Sequence, residues 1–230
     1  MAAAKNTPGG PQRRAAGLTR ERILEAALEL IEAESLQGFS TRKLGQRLGC
    51  EAMSIYHHFP SKQHLLDALV ARAIASVEVP EPGADASDAE ARIRRAMHSY
   101  RAMARRWPAL YQLVAVHRLN MPAGVRFIES VLRLVHQASG GDPQRTAREF
   151  RVLGYFLTGA ALDETAGYAR GPSAAAPVSD ADVAAECPLL TTVAPYFARA
   201  QWDATFEYGL DALLRGARAE RRPHPPPKRP

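Results

Sequence analysis

The 230-residue chain is predicted to be all-α. Leucine and alanine dominate and aromatic residues make up only 7%, while the β-branched residues are scattered singly, a composition that favours helices over sheets. Apolar residues also recur at helical spacing between residues that cap or break helices. The architecture this implies is a small N-terminal three-helix unit, joined through a long fourth helix to a larger helical bundle. At roughly 100–200 residues per domain, the length allows one large domain or two small ones.

The elements follow in order. Thr19 can cap a first helix over 19–34, in which Ile23, Ala27, Leu30 and Ile31 share a face up to a break at Gly38. Ser40 can cap a short second helix carrying Leu44 and Leu48, and Gly49 suits the left-handed conformation that ends it. A third helix over 51–58 stops at Phe59–Pro60, because proline disfavours helical geometry in the residue before it. Ser61 can cap a fourth helix over 61–78, with Leu65, Leu66, Leu69, Val70, Ala73, Ile74 and Val77 in one apolar stripe. The proline- and glycine-bearing stretch 79–87 is the best boundary between domains. Beyond it the pattern predicts helices over 88–105, 108–119, 123–139, 143–168 and 195–215, with the Ala/Pro-rich stretch 171–188 as a loop. The domains are therefore expected at 18–79 and 80–216, between disordered basic tails at 1–17 and 217–230.

Charge and composition exclude several classes. The longest runs without a charged side chain are 11 and 12 residues, short of the roughly 20 that span a bilayer. Lys5, Arg13 and Arg14 precede no apolar stretch of the secretory kind, so a cytoplasmic location is expected. Two cysteines, Cys50 and Cys187, are too few for a disulfide framework or a four-cysteine zinc site. The formal charge is +6, but the first 20 and last 16 residues together carry +9, which leaves 21–214 at −3. Within that near-neutral body, 36–64 holds Arg42, Lys43, Arg47 and Lys62 against Glu51 alone, a basic patch suited to an anionic partner such as nucleic acid.

Leu44 and Leu48 on one short helix, Gly49 in a turn and Ile55 on the next fit a helix-turn-helix, whose second helix enters the major groove. The stretch FSTRKLGQRLGCEAMSIYHHFPSKQHLLDAL, with the leading ILEAALELI, closely resembles the DNA-binding domain of TetR-family transcriptional regulators. Near the far end, FEYGLDALLRG looks like the closing helix of many such proteins. The resemblance implies sequence-specific binding of double-stranded DNA. Thr41 matches the position that offers a hydroxyl and a helix start to phosphate, and Arg42 the position that can reach a guanine edge. Met53 and Ser54 match the exposed start of the recognition helix. Tyr56, His57 and His58 match a run whose tyrosine and following residue meet the DNA backbone, although Tyr56 could instead be core packing, and Lys62 matches the phosphate-binding lysine. Ala52 stands where tetracycline repressors can carry a base-reading amide, so their operator is not carried over. The two histidines diverge by about 100° on a helix, which argues against a metal site.

A short recognition helix makes few base contacts, so specificity calls for a homodimer on a palindromic operator. The resemblance places the dimer interface on the helices over 143–168 and 195–215, where Gly154, Gly159, Ala160 and Ala161 suit close approach or internal packing. It also implies a small-molecule effector held among the intervening helices, whose binding shifts the fourth helix and releases DNA. The candidate lining residues are Met97, Tyr100, Met103, Trp107, Tyr111, Val114, His117, Phe127, Val131, Phe156 and Asp163, with ordinary core packing as the alternative for most of them. His117 and Asp163 are polar among apolar neighbours, and each needs a protein partner or a ligand.

No phosphate-cradling glycine loop, nucleophile elbow or HExxH is present, so neither catalysis nor a cofactor is expected. The expected function is a ligand-released transcriptional repressor. Two other readings stay open: a nonspecific architectural DNA-binding protein relying on basic tails, and a thiol redox regulator using Cys50 beside the recognition helix.

Overall fold

In the computed structural model, the described residues are 17–83, 88–117, 119–166 and 175–221. Eleven helices and two 3-10 turns account for about four fifths of them, and no strand occurs among the described residues.

The head begins with α1 (Arg20–Gly38), capped by Thr19, whose hydroxyl accepts from the Arg22 amide at 3.2 Å. The regular part of α1 ends where expected, because Ser35 adopts φ 67° and kinks the chain before Gly38. Ser40 caps α2 (Thr41–Leu48), and Gly49, at φ 69°, closes it in the left-handed conformation. The short α3 (Ala52–Tyr56) follows, and Ser61 caps α4 (Lys62–Ala75). Phe39, Leu44, Ile55 and Phe59 are buried against the apolar stripes of α1 and α4, which fixes the crossing of α2 and α3.

The larger bundle contains α5 (Ala89–Arg106), α6 (Pro108–Val114), α7 (Pro122–Ala138), α8 (Pro143–Ala166) and α11 (Trp202–Arg221). Three of these start at a proline, whose fixed φ and missing amide suit the first turn. The buried side chains form one cluster that runs from Ile23 in α1 to Leu214 in α11 without a break at the expected boundary.

Four expectations are corrected. The fourth helix ends at Ala75, where Ser76 turns its hydroxyl back onto the Ala73 carbonyl. The helix expected over 108–119 ends at Val114, because its last turn tightens into bonds from Val116 to Leu113 and from His117 to Val114. The expected loop contains α9 (Asp180–Glu186), whose cap Ser179 accepts from the Asp182 amide, and α10 (Pro188–Val193) begins at its end. The closing helix starts at Trp202 rather than Pro195, after 3-10 turns at Ala194–Phe197 and Arg199–Gln201. It continues to Arg221, past the boundary expected at Gly216. The rest of that tail, like 1–16, lies outside the described residues.

A polar seam joins α5 to α8 and α11. Arg94, His98, Arg101 and Arg105 follow one another at helical spacing on α5. Arg94 pairs with Glu207 at 2.6 Å and also with Asp211, and His98 meets Glu207 at 2.7 Å. Arg105 bridges Glu164 at 2.7 Å and Asp203 at 2.9 Å. These partners hold the Arg105 guanidinium above its ordinary pKa despite opposing desolvation, and Arg105 holds the exposed Asp203 carboxyl below its own. Arg101 lies over the Phe206 ring at 4.1 Å.

Candidate nucleic-acid interface

The α2–α3 unit is built by close approach. A Cβ at Gly45 would lie 2.7 Å from the Cys50 carbonyl oxygen, so the bare glycine lets the turn fold tightly over α2. The Cys50 amide donates to the Gly45 carbonyl at 2.9 Å, and its side chain is half-buried. The Thr41 and Tyr56 hydroxyls meet at 3.1 Å, tying the start of α2 to the end of α3. Tyr56 is thereby half-buried and hydrogen-bonded, with its hydroxyl beside the helix start where a phosphate was expected.

Around this scaffold, Arg42, Met53, His57 and Lys62 are exposed, and Ser54 and His58 are half-buried. No ion pair to Arg42 occurs among the described residues. Two other cations of the basic patch are taken up by α1: Lys43 pairs with Glu34 at 2.5 Å and Arg47 with Glu29 at 2.6 Å. They neutralise one side of α2 and leave Arg42, on α2, and Lys62, at the start of α4, as the cations of the patch with no ion pair among the described residues. Lys62 donates to the Phe39 carbonyl at 3.2 Å, with its ammonium 5.4 Å from the Phe39 ring centre, which orients the chain at the head of α4. Arg20, which the sequence did not single out, lies over the Phe59 ring at 4.1 Å and donates to the His58 carbonyl, holding α1 against the α3–α4 turn.

The candidate effector residues separate into groups. Met97, Tyr100, Met103, Tyr111, Val114 and Val131 are buried, and Trp107, His117, Phe127, Phe156 and Asp163 are half-buried. Tyr100 stacks on Phe127 with centres 5.8 Å apart and meets Tyr111 edge-on at 6.0 Å. The two tyrosine hydroxyls lie 3.5 Å apart, and Tyr111 also hydrogen-bonds Thr158. Burial pushes the pKa of both phenols up. Phe156 stands apart, packed on Phe206 at 5.2 Å in the α8–α11 seam. His117 has a protein partner: its Nε2 lies 2.9 Å from Asp67 Oδ1 on α4, so it joins the head to the bundle. A separate apolar cavity of about 210 Å³ lies among α5, α7, α8 and α11, bordered by Ile93, Ala138, Val152, Leu153 and Leu213 and by none of the eleven candidates.

Comparison with known proteins accords with both halves of this arrangement. The family described as "Bacterial regulatory proteins, tetR family" matches residues 23–69, and "Tetracyclin repressor-like, C-terminal domain" matches 79–221. The tetracycline repressor protein class A from transposon 1721 of Escherichia coli is 31% identical over 84% of this chain and 88% of its own length. The HTH-type transcriptional repressor DrrR1 of Streptomyces coeruleorubidus is 32% identical over 64% of this chain, a match that spans 54% of DrrR1. The structure of Streptomyces coelicolor ActR in complex with actinorhodin superposes with a TM-score of 0.69 at 26% identity, covering 89% of this chain and 97% of ActR. The amino-terminal reading head and the helical bundle are thus both accounted for by one lineage of regulators rather than enzymes, and the chain belongs to the TetR family of bacterial regulatory proteins.

Proposed function

We propose that the protein is a homodimeric repressor that works in the cytoplasm, holds a palindromic operator through residues 18–79, and releases it when a small molecule binds within residues 80–216. The observation that carries this reading is the head itself: a hydrogen-bonded α2–α3 unit whose back is charge-neutralised by α1, with Arg42, Met53 and His57 exposed and Lys62 at the head of α4. Arg42 reads a base edge, Met53 and Ser54 touch bases or thymine methyls, and Thr41, Tyr56, His57, His58 and Lys62 position the phosphate backbone.

The dimer reading is supported by the outer faces of α8 and α11. A Cβ at Gly154, Gly159 or Gly216 would meet nothing within 4 Å, so internal packing does not account for these glycines. Tyr155 and Tyr208 expose 65% and 74% of their surface on the same two helices, an apolar area suited to a second copy.

The effector reading rests on the ring-lined interior. Tyr100, Tyr111 and Phe127 offer aromatic surface, and Thr158 with the tyrosine hydroxyls offers a few polar contacts, which suits an apolar, ring-bearing molecule. Tetracycline and actinorhodin, named for a relative and a structural neighbour, are the first probes.

The test is selection of bound sequences from random duplex DNA by the full-length protein at near-physiological salt. Enrichment of one palindrome is expected. Tight binding without enrichment would overturn the reading in favour of nonspecific coating of DNA.

A further inference from the structure

Helix α6 has no cap of its own. Trp107 occupies its N-cap position without a side-chain bond, and Pro108 follows. The next two amides are satisfied from a distant part of the chain. Ala109 donates to Glu32 Oε2 at 3.1 Å, and Leu110 donates to Glu32 Oε1 at 2.9 Å. Glu32 belongs to α1, in the reading head.

On α1, Leu24, Leu28 and Glu32 fall at every fourth residue before the kink at Ser35. The two leucines are partly buried against the core, so Glu32 is the charged end of an otherwise apolar ridge. Helix α1 packs more extensively on α6 than on any other element. A carboxylate spanning two amides at a helix start gains from charge-assisted bonding and from the helix dipole. If α6 moved without α1, both amides and the carboxylate would lose their partners. Helix α1 in turn grips α2 through Glu34–Lys43 and Glu29–Arg47, so the path from α6 to the recognition unit is continuous.

We infer that Glu32 is a positioning residue for operator binding, fixing the reading head through α1 to the amino-terminal turn of α6. This route is distinct from the shift of α4 expected of the family, and it rests on the DNA-binding reading above. Linkage makes it reciprocal: if the state of α6 governs the head, engaging DNA at the head must be felt at α6.

The experiment compares the wild type, Glu32→Ala and Glu32→Gln by hydrogen exchange with and without the enriched duplex, alongside operator Kd. In the wild type the duplex should slow exchange in α2–α3 and, remotely, across residues 107–114. Glu32→Ala should keep the first effect and lose the second, with operator Kd raised about fivefold or more. Glu32→Gln retains the size and one acceptor, so it should fall between them, and it carries the test if Glu32→Ala folds poorly.

A contact that merely stabilises the fold would speed exchange at 107–114 equally with and without DNA and leave the remote response intact. That result would overturn the inference, as would a wild type whose α2–α3 is protected while 107–114 does not respond. Absence of any protection in α2–α3 would instead sink the DNA-binding reading, and the positioning role with it.

Discussion

Arg101 Nη2 lies 2.5 Å from Glu164 Oε1, and the two side chains retain only 5% and 4% of their exposure. Arg101 also donates through Nε to both Glu164 oxygens at 3.0 Å, and Nη2 reaches the Trp202 carbonyl at 3.0 Å. The pair therefore links α5, α8 and the start of α11 at one buried point. Breaking such a pair from one side costs about 3–5 kcal/mol where it strands the other charge. Arg101 would still meet the exposed Asp203 carboxylate at 3.0 Å, so Glu164→Ala should lower unfolding free energy by about 3 kcal/mol or less in urea titration. The double variant Arg101→Met, Glu164→Leu should recover most of the loss, because it leaves no buried charge behind.

The buried phenols set an alkaline limit. Burial raises the pKa of Tyr100 and Tyr111 above the ordinary value near 10. Below pH about 10 both folded and unfolded chains keep these protons, and the stabilisation is fully present. Above it the unfolded chain ionises first, so stability falls as pH rises, by up to about 1.4 kcal/mol per pH unit for each tyrosine. Thermal unfolding between pH 9 and 11 should show this decline, and Tyr100→Phe should flatten it. An unchanged slope in that variant would assign the decline to other groups.

Gly209 is the glycine on which the α8–α11 packing depends. A Cβ there would fall 2.4 Å from a ring carbon of Phe156, so Gly209→Ala must displace the ring or part the helices. Overpacking of this kind costs about 1–3 kcal/mol. A lowered Tm is expected, with partial recovery in Gly209→Ala, Phe156→Leu, where the ring has gone. Gly154→Ala, whose added Cβ would meet nothing within 4 Å, should raise protomer stability by about 0.5–1 kcal/mol through helix propensity, so that any loss it causes reports on dimer assembly instead.

Arg42 and Lys62 should fail differently. If Arg42 reads a base edge as proposed, Arg42→Ala should relax preference at one operator position at a cost of about 1–3 kcal/mol. If Lys62 meets the phosphate backbone as proposed, Lys62→Ala should weaken all sequences alike and shallow the salt dependence. Binding of the enriched duplex and its single-base variants at several salt concentrations distinguishes the two. Equal losses on every sequence from both variants would contradict this division.

Much of the head was legible because its signals are local. Thr19, Ser40 and Ser61 each cap the helix that their position announces, and Gly49 ends α2 in the conformation its missing side chain permits. What escaped depends on convergence. The row Arg94, His98, Arg101, Arg105 has the spacing of a solvated helix face, and only the approach of Glu164, Asp203, Glu207 and Asp211 turns it into a seam. His117 was recognised as needing a partner, but Asp67 lies 50 residues away and the sequence could not name it. Helix α9 is hidden in the sequence because its alanine- and proline-rich surroundings read as a loop, and only the Ser179 cap signals a helix start. For Glu32 a trace was present: one acid interrupts leucines at a four-residue period, a pattern with more than one explanation until α6 supplies the amides.

The single buried cluster running from Ile23 to Leu214 bears on how such regulators can be recombined. A reading head transplanted from a relative would arrive with its own α1, which must match this chain's α6 where α1 packs on it and Glu32 caps it. Changing the operator is therefore a matter of altering the exposed residues of α2 and α3, with α1 kept native to the bundle it leans on. The modular unit of inheritance here is not the DNA-binding segment but that segment's outward surface.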